Sequence, residues 1–214
     1  MTGRSYPDLV TAAYGLDIET DTAHGGLDPR TSPVVAAALA SESGVTVIRG
    51  PEARLLRELD AILALLAPGV IVTWNGSGFD LPFLADRARR HGLRIGLRLS
   101  LDPGIVRFHP PLPGHAGFYR ASWHGHDHLD AYLAYRALAA EDEGSLALKA
   151  VAARRGLAAV EVDRSRIHEL EPEELASYVA SDAGLALALA RARWEEAVAF
   201  LDRVPAGVPL AAGA

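Results

Sequence analysis

Cysteine is absent from this chain of 214 residues, and methionine occurs once. The missing thiols exclude disulfides, thiolate-bound zinc and cysteine nucleophiles together. They fit a reducing compartment, so the cytoplasm is the expected location. No apolar run reaches the roughly 20 residues that a membrane-spanning helix needs. The opening stretch MTGRSYPDLV also lacks the apolar core of a secretory signal, so no membrane partner is expected. Nor is positive charge in excess: 21 Lys and Arg stand against 27 Asp and Glu, a formal net charge of −6. A protein held on nucleic acid by phosphate contacts alone would be basic. An enzyme that confines its basic residues to one groove, and meets phosphate with bound cations, is not excluded.

Internal repeats and low-complexity tracts are missing too. What is present is a 50% hydrophobic content, enough for one α/β core. A single domain over residues 1–214 is expected, with its core at about 12–203. Residues 12–18 are apolar and β-capable and predict a buried strand. VVAAALASESGVTVIRG predicts a hairpin turning at Glu42 to Gly44. Leu55, Leu59, Ile62, Leu63 and Leu66 recur at helical spacing. Pro51 before them and Pro68-Gly69 after them bound that helix. GVIVTWN reads as a central strand, and GSGFDLPFLADRARRHG opens a helix. Residues 93–128 are rich in Pro, Gly and His and predict an irregular insertion with at most one short strand at 93–99. LDAYLAYRALA, SLALKAVAARRG and PEELASYVASDAGLALALARARWEEAVAFL predict helices, and the tail after Pro205 is expected to fray. The sum is a mixed central β-sheet flanked by α-helices.

In YGLDIET the acids Asp17 and Glu19 sit two positions apart at the end of the first strand. Side chains at that spacing share one face. Two like charges there repel unless a cation lies between them, so the pair is either a solvated strand end or half of a metal site. Asp80 follows the strand VIVTWN, near the start of a helix. Asp182 lies in YVASD on the last long helix, four residues after Tyr178 and on the same face. Asp182 interrupts a stretch rich in Ala and Leu, where a buried acid needs a partner. Carboxylates are suitable ligands for hard divalent cations. Two such ions can clamp an in-line displacement at phosphorus.

DIET, WNGSGFDLPFL and YVASD, in that order, resemble the three exonuclease motifs of the DEDD superfamily of 3′–5′ exonucleases, tyrosine-type branch. With SLALKAVAARRGL between the second and third, the chain is most similar to the proofreading domain of family B DNA polymerases and its stand-alone bacterial relatives. The likeness spans roughly residues 12–190. It implies a ribonuclease H-like fold, two divalent ions (Mg²⁺ or Mn²⁺) and release of nucleoside 5′-monophosphates from a 3′ end. It makes Asp17, Glu19, Asp80 and Asp182 the metal acids and Tyr178 the residue that orients water. Tyrosine, with its ordinary pKa near 10, is a poor base at neutral pH. Thr20, Asn75 and Phe79 belong to the same motifs and are expected at the substrate strand, as is Lys149.

The implied partner is single-stranded nucleic acid with a free 3′ end, DNA ahead of RNA. A chain of 214 residues leaves no room for a polymerase, so a separate polymerase or repair protein is a second expected partner. An exoribonuclease, and a catalytically silent nucleic-acid-binding module of the same fold, remain open as alternatives. The pattern sets no oligomeric state. RARRHGLRIGLR carries five arginines that either line a path for the strand or form a solvated helix face. Arg107 and Arg120 are weaker candidates of the same kind. His115, His124, His126 and His128 match no compact zinc spacing and predict a polar loop. Asp130 reads as a cap at a strand-to-helix junction, with an indirect role near the site.

Overall fold

The structure is a computed structural model that describes residues 12–105, 109–138 and 144–202. Among these residues eight strands form one sheet: β1 (Ala13–Thr20), β2 (Val34–Ser41), β3 (Gly44–Arg49), β4 (Val70–Thr73), β5 (Leu97–Leu101), β6 (Tyr119–Trp123), β7 (His126–Asp130) and β8 (Leu201–Asp202). Their order is β3-β2-β1-β4-β7-β6-β5, with β8 paired to β7. β1, β4 and β7 run parallel at the centre, and the remaining pairings are antiparallel. The carboxyl ends of three central strands therefore open on the same edge, where ligands of open α/β sheets bind.

The helices are α1 (Glu52–Leu65), α2 (Asp80–Arg90), α3 (Ala131–Ala137), α4 (Leu148–Arg154), α5 (Pro172–Ala192) and α6 (Trp194–Ala197). The period-2 pattern of the strands sorts them into two layers. Leu16 and Ile18 of β1, with Ala37 and Leu39 of β2, pack against Leu55, Leu59 and Leu63 of α1 and Leu81, Phe83 and Leu84 of α2. The alternate positions Ala36, Ala38 and Ala40 meet Tyr178, Val179 and Ala183 of α5 on the opposite face. Small side chains on β2 let this helix lie close to the sheet. Pro172 at the first turn, with Glu173 and Glu174 beside it, starts α5 where a missing N–H and negative charge are both favourable.

Two expectations are corrected. Residues 93–128 are irregular only in part: β5 overlaps the short strand expected at 93–99, and the stretch also supplies β6 and the start of β7, while its described residues between β5 and β6 carry neither helix nor strand. The signal is hidden because β7 buries histidines where an apolar residue would mark a strand. His126 accepts the Gly69 N–H at 3.1 Å, and its other ring nitrogen lies 2.9 Å from the Leu63 carbonyl. His128 lies 2.8 Å from the Thr73 hydroxyl. The last helix also stops sooner than its periodicity suggests. α5 ends at Ala192, Arg193 takes a non-helical conformation, and the short α6 begins at Trp194, which is in the core. The stretch after Pro205 lies outside the described residues.

Candidate active site

Alternation along β1 puts Gly15, Asp17 and Glu19 on the α5 side, opposite Leu16 and Ile18. α5 answers with Tyr178 and Asp182, one turn apart. Asp17, Glu19 and Asp182 each offer a carboxylate oxygen, and the three atoms lie within 4.8 Å of one another. Among the described residues this is the single cluster of three or more potential metal ligands. β1 and β4 stop pairing at Gly15 and Val72. Beyond that point the N-terminus of α2 enters the gap, and Asp80 accepts a backbone hydrogen bond from Ile18. Asp80 stands beside the triad rather than inside it, and its charge acts on both Asp17 and Glu19.

The electrostatics show what the cluster lacks. Burial, and then the charges of Glu19, Asp80 and Asp182, raise the Asp17 carboxyl well above its ordinary range. Burial and Asp182 push Glu19 up to about 8. Burial lifts Asp80 to about 7 and Asp182 to about 6. Asp17 Oδ2 is buried and accepts no hydrogen bond from any described residue, and the buried Asp182 Oδ1 has only the Lys149 ammonium, 3.5 Å away. Buried carboxylate oxygens without donors are costly. A divalent cation satisfies both oxygens at once, and an all-oxygen donor set suits Mg²⁺ or Mn²⁺. The residues present therefore fit the metal ions that the motifs imply.

The second motif is shaped by Asp130, which the sequence marks as a cap. It does cap α3, accepting the Tyr132 N–H at 3.1 Å. It also accepts the N–H groups of Asn75 at 2.8 Å and Ser77 at 3.0 Å. Asn75 adopts φ 68°, a left-handed conformation that Asn tolerates. Its carbonyl accepts from Gly78 and Phe79, which folds the turn that delivers Asp80. Its side-chain oxygen lies 3.0 Å from His109 Nε2. Phe79 is half-buried with its ring 5.3 Å from that of Phe83.

Two expected substrate contacts look different in three dimensions. The Thr20 hydroxyl is buried and donates to the Gly26 carbonyl. It shapes the wall of the site and is not a free donor. Lys149 reaches inward: its ammonium lies 3.5 Å from Asp182 Oδ1, 3.7 Å from Glu161 Oε2 and 3.9 Å from the centre of the Tyr178 ring. It also donates to the Val160 carbonyl. Tyr178 is buried, and burial together with Glu19 and Asp182 raises its hydroxyl pKa further.

The arginine run divides. Arg87 is buried, donating to Glu52 at 2.6 and 2.7 Å and to the Pro29 carbonyl at 2.8 Å. Arg89 pairs with Asp86 at 2.7 Å, and Arg120 with Asp102 at 2.7 Å. Arg107 lies outside the described residues. The histidines do not form a polar loop, and no cluster of three or more potential metal ligands among the described residues includes them. His115 lies against Asp86 and Tyr119, His124 against Asp60, and His126 and His128 inside the sheet. A residue that the motifs do not mark is Arg164, whose charge acts on Asp17, Glu19, Tyr178 and Asp182. Its approach depends on how a 3₁₀ turn docks at long range, which no local pattern encodes.

Residues 4–151, more than half of the chain, match the family model for the exonuclease domain of DNA polymerase family B. The chain belongs to that family. It is 33% identical over 140 residues to a catalytic subunit of DNA polymerase epsilon from Arabidopsis thaliana, a match covering 62% of this chain and 6% of that protein. It is 30% identical over 105 residues to DNA polymerase 1 of Pyrococcus abyssi, covering 43% of this chain and 14% of that one. The family B DNA polymerase of Pyrobaculum calidifontis superposes with a TM-score of 0.66 at 24% identity, over 86% of this chain and 24% of that chain. The family B exonuclease chain thus spans a small part of the polymerases it resembles, and its fold is the ribonuclease H-like α/β fold. No helix among the described residues is long and apolar enough to cross a membrane.

Proposed function

We propose that this domain is a metal-dependent 3′–5′ exonuclease. It removes nucleoside 5′-monophosphates from the 3′ end of single-stranded nucleic acid, DNA in preference to RNA. The observation that carries this reading is the convergence of Asp17, Glu19 and Asp182, with the buried Asp17 Oδ2 left without a donor and Asp182 Oδ1 met only by the Lys149 ammonium at 3.5 Å. The polymerases that the chain matches favour DNA as the substrate and a polymerase or repair protein as a partner. Asp17, Glu19, Asp80 and Asp182 would hold two Mg²⁺ or Mn²⁺ ions. When bound, the ions would lower the pKa of a water and stabilise the departing 3′-oxygen.

The side chains divide the remaining work. Tyr178 keeps its proton at neutral pH, so its hydroxyl holds the attacking water in line and does not deprotonate it. Water oxygen bonds to phosphorus while the bond from phosphorus to the 3′-oxygen breaks. The strand leaves with a 3′-hydroxyl and the terminal nucleotide with a 5′-phosphate. Phe79 offers a ring for the last base, and stacking tolerates any base. Lys149 holds positive charge beside Asp182 and the Tyr178 ring.

The test is digestion of 5′-labelled single-stranded DNA and RNA with Mg²⁺, Mn²⁺ or EDTA, using wild type and Asp17→Ala. The expected result is a metal-dependent ladder of 3′-shortened DNA that the substitution abolishes. A ladder from RNA alone would make the enzyme an exoribonuclease. Binding of both strands with no shortening in any metal would leave a silent binding module and sink the proposal.

A further inference from the structure

The 3₁₀ turn at residues 164–169 bridges the two elements that build the acid cluster. Ile167 is buried among Leu175, Tyr178, Val179 and Ala183 of α5. On the other side, His168 Nδ1 lies 2.8 Å from the Thr22 hydroxyl oxygen, which also accepts the His168 N–H at 3.3 Å. Thr22 lies just past the end of β1, three residues beyond Glu19. The turn is fixed at its start by Asp163, which accepts the Ser165 N–H at 3.0 Å and the Ser165 hydroxyl at 2.6 Å.

Within this turn Arg166 pairs with Glu169, and His168 is held by Thr22. Arg164 alone of its basic side chains makes no hydrogen bond or ion pair with any described residue, and it is exposed. Lys149, the other cation at the site, is boxed between Asp182, Glu161 and the Val160 carbonyl. Four carboxylates would be neutralised by two divalent cations. The phosphate of an incoming strand is a further negative charge, and hydrolysis of the diester adds another. A guanidinium with five donors and no competing acceptor suits that phosphate.

We propose that Arg164 grips the phosphate of the 3′-terminal nucleotide, as the diester before cleavage and as the 5′-monophosphate after it. This rests on the exonuclease reading above. It makes Arg164 a substrate-binding residue that also governs product release.

The test compares wild type, Arg164→Ala and Arg164→Lys in the whole chain. Arg164 is exposed, so both variants should fold; the melting temperature of Arg164→Ala is expected to match wild type in Mn²⁺ and to fall slightly in EDTA, where the acids lose a nearby positive charge. In Arg164→Ala, KM for single-stranded DNA should rise about tenfold, the loss of one charge-assisted contact. The slope of log affinity against log salt should flatten by about 0.7, the share of one phosphate on a single strand. Inhibition by a nucleoside 5′-monophosphate should weaken while the unphosphorylated nucleoside behaves as before, with Arg164→Lys in between. Unchanged KM, salt slope and monophosphate inhibition would overturn the assignment. So would tighter Mn²⁺ binding with an unchanged salt slope, which would make Arg164 a counter-charge to the acids alone. Should the wild type shorten no strand, the exonuclease reading fails by itself. Calorimetric binding of the 5′-monophosphate in Mn²⁺, lost in Arg164→Ala or not, then decides on Arg164 separately.

Discussion

Gly15 on β1 and Ala183 on α5 meet with no space for a side chain: a β-carbon on Gly15 would lie 2.2 Å from the Ala183 carbonyl oxygen. It would also lie 2.9 Å from the β-carbon of Leu187. Asp17 follows Gly15 by two residues on the same face, and Asp182 precedes Ala183. The missing side chain therefore sets the separation between the two carboxylates. Gly15→Ala has to push the helix backbone away, at a cost of about 1–3 kcal/mol. The protein should still fold, with a lower urea midpoint. A displacement of about 1 Å at the reacting groups costs on the order of a hundredfold in rate, so exonuclease activity should fall far more than stability does. Equal activity in the two proteins would show that the close approach does not set the carboxylate geometry.

The acid cluster makes the metal-free protein sensitive to pH. Glu19 at about 8, Asp80 at about 7 and Asp182 at about 6 all lie above the ordinary carboxylate range. Between pH 5 and 8 the folded state holds protons that the unfolded chain has already released. Stability therefore falls as pH rises through that window. Cation binding requires the deprotonated acids, so the thermal shift produced by Mn²⁺ should grow from pH 5.5 to 8. Asp182→Asn removes one source of repulsion. It should raise the metal-free melting temperature at pH 8, by about 2–4 °C for each kcal/mol relieved, while abolishing digestion. A melting temperature in EDTA that is flat from pH 5.5 to 8 would contradict the coupling of these groups.

Asp130 holds three backbone N–H groups, those of Asn75, Ser77 and Tyr132. Asp130→Ala strands the first two in a turn that has to present Asp80, and removes the cap of α3. The loss should be about 2–4 kcal/mol in chemical denaturation, with a marked fall in kcat because Asp80 loses its support. Asp130→Asn keeps one acceptor oxygen and should recover part of the stability. If the alanine variant matched wild type in kcat, Asp130 would be a helix cap and nothing more.

Asp17, Glu19 and Asp182 are legible in the sequence because each sits in a short pattern that its own element explains, whereas Asp80 is delivered by a turn that the distant Asp130 holds. Asp17 and Glu19 follow from period 2 in a strand, and Tyr178 and Asp182 from a spacing of four in a helix. The parts that are not legible depend on contacts between distant segments. Lys149 resembles a surface lysine until α4 is seen against α5. Arg164 lies in a turn placed by Ile167 and by Thr22, which is 142 residues earlier than Arg164. The histidines of β7 resemble a polar loop because their partners, Leu63, Gly69 and Thr73, come from α1, the loop after it and β4. Thr20 departs from expectation for a related reason: its hydroxyl is taken by Gly26, a residue of the next loop.

The run RARRHGLRIGLR illustrates the same limit and gives a sharp comparison. Arg87 and Glu52 form an ion pair at 2.6 Å, each side chain 8% exposed. Glu52 also accepts the Val34 N–H at 2.7 Å and lies 2.6 Å from His91 Nε2. This network ties α1, β2 and α2 together on the face opposite α5. Arg87→Ala would leave a buried carboxylate and the Pro29 carbonyl without their donor, at about 3–5 kcal/mol. Arg89, 63% exposed and paired only with Asp86 among the described residues, should cost less than about 1 kcal/mol when replaced by Ala. Urea denaturation of the two variants distinguishes them directly. Strand affinity should change little in Arg89→Ala at moderate salt, because its charge is already met by Asp86. If instead Arg89→Ala flattened the salt dependence of DNA binding while Arg87→Ala left stability intact, the run would be a nucleic-acid path and not a structural hinge of α2.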